Sequence, residues 1–351
     1  MRHTFWIFPF FFILLTSCEQ PKKSEEQAIS VPLSDTLRLA LDWSPNILHA
    51  GIFLAEARSE FQKEGLYIEW MSTEVDNYKK KPILRLLDGE VDLCIGPSEH
   101  LFYYAMDSMQ RKPKAEAVAS LLSQPQSAFA VKANTNVFSP SDWSLLDYIG
   151  YDTPLEEAII QTMIQNSGGQ KPPDIVQPGR LQVWDAFLSR PEALVWIFTH
   201  WEGQMSPEEL RYFYPNEWGV PYGYSSVLMA RKNRTDKENR NIRKFLKLIK
   251  THYQLLATAD PKTKKKIVDE LVSFISHPNY SSTDLILSAL DDIQDAFYAN
   301  QGSQWGRMKP NRWGDYINWI RTNQLIDSSH LSVDPLAWYT HELLEGRSDS
   351  K

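Results

Sequence analysis

Trp43, Asn46 and His49 place an indole, an amide and an imidazole close together in Leu41-Asp42-Trp43-Ser44-Pro45-Asn46-Ile47-Leu48-His49-Ala50-Gly51. Asn46 and His49 are three residues apart, so a helical turn puts them on one face, with Trp43 supplying a flat surface beside it. That set suits a noncovalent grip on a planar, polar ligand. Trp196-Ile197-Phe198-Thr199-His200-Trp201-Glu202-Gly203 is a second candidate, in which Trp201 and Glu202 leave an apolar run together. A carboxylate can accept from two N–H groups on one edge of a flat heterocycle, while aromatic faces sandwich the ring. Further candidates are Tyr222 and Tyr224 in Gly219-Val220-Pro221-Tyr222-Gly223-Tyr224, Ser98 and Glu99 in Gly96-Pro97-Ser98-Glu99-His100, and Asp152 in Gly150-Tyr151-Asp152-Thr153-Pro154-Leu155-Glu156-Glu157. Each also has a purely structural use. Trp43 can fill a core, Asn46 can cap a helix, His49 can be a satisfied core imidazole, Ser98 and Glu99 can cap, and both tyrosines can pack.

These residues sit where strands give way to helices. Leu37-Arg38-Leu39-Ala40-Leu41 alternates like a half-buried strand, and Pro45 suits the first turn of the helix expected over Ile47 to Phe61. Strands follow at Leu66 to Trp70, Val91 to Ile95 and Ala117 to Leu122, with helices between them, which predicts a mainly parallel sheet covered on both faces. The strand-to-helix turns then lie at the carboxyl ends of strands, where open α/β sheets bind ligands. From about Ala128 a second α/β unit is expected, with strands at Tyr148 to Tyr151 and Ala193 to Phe198 and helices over Leu155 to Gln165 and Leu181 to Leu188. A strand at Tyr224 to Ala230 follows. Ile242, Phe245, Leu246, Ile249, Tyr253 and Leu256 then form one helical stripe, and Ile286, Leu290, Ile293 and Phe297 another.

The 351 residues suffice for about two domains. A formal net charge of −7 argues against a nucleic-acid partner, which favours a basic stripe. Arg2 and His3 precede an apolar run from Phe5 to Leu15 and then Leu15-Thr16-Ser17-Cys18, the order of a signal peptide, and too short to span a bilayer. Residues 1–17 are therefore expected to be a leader. The polar stretch 18–35 lacks apolar periodicity, as a flexible tether would. Cys94, inside an apolar strand, is expected to be an inert buried thiol. The eight histidines have no ligand spacing and no nucleotide fingerprint or nucleophile elbow occurs, so no metal and no cofactor is expected.

The Asp42-Trp43-Ser44-Pro45-Asn46…His49-Ala50-Gly51 corner is one of several pieces through which the chain resembles the thiamine-precursor pyrimidine-binding protein family, ABC-transporter solute-binding lipoproteins related to the eukaryotic hydroxymethylpyrimidine phosphate synthases. The others are Phe61-Gln62-Lys63-Glu64-Gly65-Leu66, Gly89-Glu90-Val91-Asp92-Leu93, Val118-Ala119-Ser120-Leu121-Leu122, Trp201-Glu202-Gly203 and Gly219 to Tyr224. The resemblance implies a bilobal α/β fold of the type II periplasmic-binding-protein kind, its hinge crossed twice: lobe 1 over 36–125 and 225–345, lobe 2 over 126–224. It implies a lipid anchor on Cys18, an extracytoplasmic monomer, and ABC importer permease and ATPase subunits as partners. The implied ligand is a small aromatic heterocycle, an unphosphorylated pyrimidine of the formylaminopyrimidine or hydroxymethylpyrimidine type, with riboflavin as the alternative; Trp201 and Glu202 carry over as ligand contacts. In the synthases, the loop after the third strand bears a lysine that binds pyridoxal phosphate and, four residues later, a histidine. Here those places hold Gly96 and His100, and the hinge lacks the synthases' cysteines, so a Schiff base has no amine and binding rather than catalysis is expected. An enzyme of pyrimidine metabolism using His100 or His49 with Glu202 is the alternative from another class. Thr153 and Glu156 are expected to form a capping box that occupies helix N–H groups a phosphate would need.

Overall fold

The computed structural model describes residues 35–107, 112–153, 155–298, 304–326, 331–332 and 334–345. The leader, Cys18 and the tether up to residue 34 lie outside the described residues. Among the described residues twelve strands run in chain order as β1 (Asp35–Ala40), β2 (Leu66–Met71), β3 (Leu93–Gly96), β4 (Met106–Asp107), β5 (Lys112–Pro113) and β6 (Ala115–Ser120). After these come β7 (Ser127–Lys132), β8 (Asp147–Ile149), β9 (Asp174–Val176), β10 (Ala193–Phe198), β11 (Leu210–Phe213) and β12 (Val227–Arg231).

Two five-stranded sheets form the centres of two α/β lobes, in the orders β2-β1-β3-β12-β6 and β11-β7-β10-β8-β9. In the first sheet β1 pairs parallel with β2 and β3, whereas β12 pairs antiparallel with both β3 and β6. The expected mainly parallel sheet is therefore mixed, because β12 enters after the whole second sheet has been built and returns in the opposite direction. In the second sheet β10 is parallel to β8 and antiparallel to β7. The chain passes between the sheets twice, from β6 to β7 and from β11 to β12.

The helix expected over Ile47 to Phe61 is divided into a 3₁₀ turn Ile47–His49 and α-helices Ala50–Ala57 and Glu60–Lys63, broken at Ser59, whose φ of 56° is left-handed. Ala50–Ala57 is apolar nearly all round because it packs against the helices Asp236–Thr258 and Pro261–Phe274 and, through Phe53 on Trp70, against β2. On that helix Ile242, Phe245, Leu246, Ile249, Tyr253 and Leu256 are all buried, as their spacing predicts. Strand β7 escapes a reading by alternation since all six of its residues are buried. Among the described residues no helix is long and apolar enough to cross a membrane.

Candidate functional site

A cleft collects the segments that leave the carboxyl ends of strands in both sheets. Asp42 and Trp43 follow β1, and Pro97, Glu99 and His100 follow β3; Tyr151 and Thr153 follow β8, and Phe198 and Glu202 end or follow β10. Tyr222 and Ser225 join them from the segment before β12. The empty volume of the cleft, open mouth included, is about 940 Å³.

At the first corner the structure separates the expected trio. Asn46 is the cap of the turn Ile47–His49: its Oδ1 accepts from the Leu48 N–H at 2.9 Å and its Nδ2 donates to the Ser44 carbonyl at 3.0 Å. His49 is fully buried, with Nδ1 accepting from the Asn46 N–H at 3.2 Å and Nε2 2.9 Å from Asp42 Oδ1. Neither Asn46 nor His49 is on the cleft wall; the wall residue is Asp42, which His49 holds. Trp43 does line the cleft, its ring 5.6 Å from that of Tyr78 and 5.9 Å from that of Tyr151.

Trp201 and Glu202 also part. Trp201 sits in the core with Leu48 and Ile52, off the cleft wall, while Glu202, the next residue, lines it. Only 2% of Glu202 is exposed, and its Oε2 accepts from the Phe198 N–H at 3.1 Å. Burial, helped to a lesser degree by the nearby Asp42 charge, pushes this carboxyl up to about 7 against that hydrogen bond.

Beyond β3, Glu99 and Tyr222 meet on the wall, the tyrosine hydroxyl donating to Glu99 Oε1 at 2.9 Å. Burial lifts Glu99 to about 7 as well. Ser98 and Tyr224 lie behind the wall. The Ser98 hydroxyl accepts from the Tyr224 N–H at 3.1 Å, and the Tyr224 hydroxyl accepts from the Lys309 N–H at 2.7 Å. Asp152 is exposed with φ 55° and is not a wall residue; its carbonyl accepts from Arg180 at 2.8 Å. The expected Thr153–Glu156 box forms by half: the Glu156 carboxylate accepts from the N–H groups of Tyr151 and Thr153, at 2.9 and 3.2 Å, but the helix begins at Glu156 without a side-chain cap.

Sequence reasoning did not select Asp42, Tyr78, Ser127, Tyr151, Arg180 or Trp196, all on the wall. Asp42 and Trp196 lay inside segments already singled out. Tyr78 and Arg180 carried no local signal; they meet only in the fold, the guanidinium 5.2 Å above the tyrosine ring. The wall sets four carboxyl groups, Asp42, Glu99, Glu156 and Glu202, against the one guanidinium of Arg180. Such a balance opposes an anionic ligand and favours one presenting N–H donors. Among the described residues no group of three or more His, Cys, Asp or Glu side chains could hold a metal ion. Cys94 is buried and its thiol is pushed up by burial. A Cβ at Gly96 would stand 3.0 Å from Met229 Cε and 3.1 Å from His100 Nδ1, so the place of the synthases' lysine is crowded as well as lacking an amine.

Comparison with known proteins agrees with this architecture. The chain is 21% identical over 340 residues to the formylaminopyrimidine-binding protein of Halalkalibacterium halodurans, covering 93% of this chain and 96% of that one. It is 25% identical over 210 residues to a putative thiamine biosynthesis protein of Haemophilus influenzae, covering 58% and 64% respectively. Among solved structures it superposes with a TM-score of 0.62 on the ligand-binding component of an ABC-type import system from Staphylococcus aureus, at 12% identity, covering 90% of this chain and 100% of that one. The fold is accordingly the two-lobed α/β fold of type II periplasmic binding proteins. The family model described as NMT1/THI5 like matches residues 46–264, more than half of the chain. With the Asp42-to-Gly51 corner, the Glu202 turn and two sheets enclosing one cleft, this chain belongs to the NMT1/THI5-like family.

Proposed function

We propose that this chain is an extracytoplasmic solute-binding protein that takes an unphosphorylated thiamine-precursor aminopyrimidine between its two lobes and delivers it to an ABC importer. The observation that carries the reading is Glu202, a buried carboxyl on the wall of an aromatic cleft, beside Asp42 and near Tyr151. A carboxylate there accepts from the amino group and from the adjacent protonated ring nitrogen of a 4-aminopyrimidine, and Trp43, Tyr151 and Phe198 offer faces to the ring. The names of the bacillary pyrimidine-binding relative and of the import-system component support cargo and role. Glu156 already occupies two N–H groups at the lip, which disfavours a phosphorylated cargo. The cysteine at position 18 after a short apolar run supports a lipid anchor outside the cytoplasm. We place the lobes at 36–125 with 225–345 and at 126–224; their closure over the ligand gives the importer a state to recognise.

A thermal-shift titration tests this. Ligand at 100 times its dissociation constant adds about 2.7 kcal/mol to the bound form, a shift of a few degrees for a protein of this size. The expected result is a saturable shift with an aminopyrimidine and none with its phosphate ester. A shift with riboflavin alone would change the cargo, and silence across heterocycles would overturn the reading.

A further inference from the structure

Tyr78 and Arg180 line the cleft from different sheets, and neither has a part in the pairing proposed for Glu202. Tyr78 stands in the segment after β2 and Arg180 in the segment after β9. The Arg180 guanidinium lies 5.2 Å above the Tyr78 ring, close enough for a cation–π contact. That ring is 5.6 Å from Trp43, which follows β1, and Trp43 is in turn 5.9 Å from Tyr151, which follows β8. Arg180, Tyr78, Trp43 and Tyr151 thus form one row of contacts that leaves the second sheet, passes over two rings of the first and returns. All four groups are on the cleft wall.

Both ends of the Tyr78–Arg180 contact are firmly mounted. Asn77 and Tyr78 have left-handed backbones, φ 56° and 57°, and the turn that carries them is tied down from within. The Asp76 carboxylate accepts from the Lys79 and Lys80 N–H groups at 3.2 and 3.1 Å and pairs with Arg85, while Lys80 bridges Asp88 and Glu90. Across the cleft, Arg180 Nη2 donates to the Asp152 carbonyl at 2.8 Å, and Asp152 too is left-handed, with φ 55°. Left-handed backbone at non-glycine residues persists only where the surroundings hold it, and it gathers at ligand clamps and switch regions.

Elsewhere the second sheet's loops are joined to the rest of the fold more tightly. Trp201, after β10, sits in the core with Leu48 and Ile52, Thr199 Oγ1 donates to Asp292 Oδ2 at 3.2 Å, and Ser288 Oγ donates to Gln204 Oε1 at 2.6 Å. Tyr78 and Arg180 meet ring to cation, a contact that parts without breaking a hydrogen bond. A guanidinium has only donors, so Arg180 has nothing to give a cargo that itself presents N–H groups.

We propose that Tyr78 and Arg180 are a latch between the two sheets that holds the cleft shut over its cargo and sets how fast the cargo leaves. This rests on the pyrimidine-binding reading of the cleft. A contact made only in the shut form adds to the weight of that form and slows opening, whereas entry uses the open form and is not slowed.

A double-mutant cycle tests the pair by stopped-flow tryptophan fluorescence, with 4-amino-5-hydroxymethyl-2-methylpyrimidine as the probe. Tyr78→Leu and Arg180→Leu should each speed release about fivefold, the scale of one cation–π contact, without slowing association. The double variant should release no faster than either single one, because the same contact is lost in all three. Tyr78→Phe keeps a ring face and Arg180→Lys keeps a cation, so each should recover most of the delay. If the single effects multiply in the double variant, or if both Leu variants release at the wild-type rate, the latch is wrong while the pyrimidine reading stands. If the folded wild type does not bind the pyrimidine, that reading fails, and urea unfolding of the ligand-free proteins decides the latch. There the double variant should lose no more stability than one single variant, and additive losses would overturn the proposal.

Discussion

His49 Nε2 lies 2.9 Å from Asp42 Oδ1, while its Nδ1 accepts from the backbone N–H of Asn46. Because Nδ1 accepts, the proton of the neutral ring sits on Nε2 and is donated to Asp42. A fully buried imidazole thus aims a carboxylate at the cleft and makes no wall of its own. His49→Leu would leave Asp42 unpaired at 8% exposure, a loss of about 3 kcal/mol by analogy with broken buried pairs, readable as a lower urea midpoint. Ligand affinity should fall with it, and His49→Gln, which retains a donor, should recover part of both. A Leu variant with wild-type stability and affinity would show that Asp42 does not depend on this bond.

Glu202→Gln changes one oxygen into an amide nitrogen and keeps the shape. The substituted side chain can still accept once, but its NH₂ group opposes a ligand amino group. An aminopyrimidine should lose about 2 kcal/mol of binding, the scale of a hydrogen bond to a charged group, or roughly thirtyfold in Kd. Riboflavin, which lacks that amino edge, should lose far less. Comparable losses for both in calorimetry would remove Glu202 from the amino-edge role.

The chain announces the cleft through its strand-to-helix turns more clearly than through individual side chains. Trp43, Glu99, Glu202 and Tyr222, expected from such turns, do lie on the wall. Asn46, His49, Ser98, Trp201 and Tyr224 come from the same turns but face away from it, since adjacent residues on a tight turn diverge and local spacing does not say which one meets the other lobe. Arg180 and Tyr78 are the opposite case: they come from different lobes and meet near Trp43 only through tertiary packing. Tyr78 and its neighbour Asn77 both have left-handed backbones, φ 57° and 56°, a conformation that non-glycine sequence does not advertise. Strand β12 shows the same limit at the level of the sheet, for its residues form a recognisable strand whose antiparallel direction depends on the path taken through lobe 2.

The stability of the ligand-free protein should carry the signature of Glu202. Its carboxyl ionises near 4.5 in the unfolded chain and near 7 when folded, so between those values the native state binds more protons. Stability from this group is therefore fully present below about pH 4.5 and is lost as pH rises through 7. Glutamine mimics the protonated form and has no such loss. The stability difference between Glu202→Gln and wild type should move in favour of the variant by on the order of 3 kcal/mol from pH 4.5 to 7.5. Chemical denaturation at several pH values measures it, and a difference that stays constant would mean that Glu202 ionises normally in the folded protein.

Arg312, on the helix Pro310–Thr322, holds the two passages between the sheets together. Its Nη1 donates to the Ser123 carbonyl at 3.1 Å, in the passage from β6 to β7, and its Nη2 and Nε donate to the Gly223 carbonyl at 2.6 and 3.1 Å, in the passage from β11 to β12. The guanidinium also lies 4.0 Å above the Tyr224 ring. A planar fork can serve two carbonyls and an aromatic face at once, whereas an ammonium is a single point charge. Arg312→Met removes every donor and leaves both carbonyls to find water, at a cost of about 3 kcal/mol in unfolding free energy; Arg312→Lys should fall between. If the clasp also limits how far the lobes open, the ligand-free variants should show a larger radius of gyration in X-ray scattering, and saturating ligand should bring it back toward the wild-type value. A variant that loses stability while scattering like wild type in both states would restrict Arg312 to a packing role, because bonds to both passages constrain the hinge only if removing them lets the lobes move.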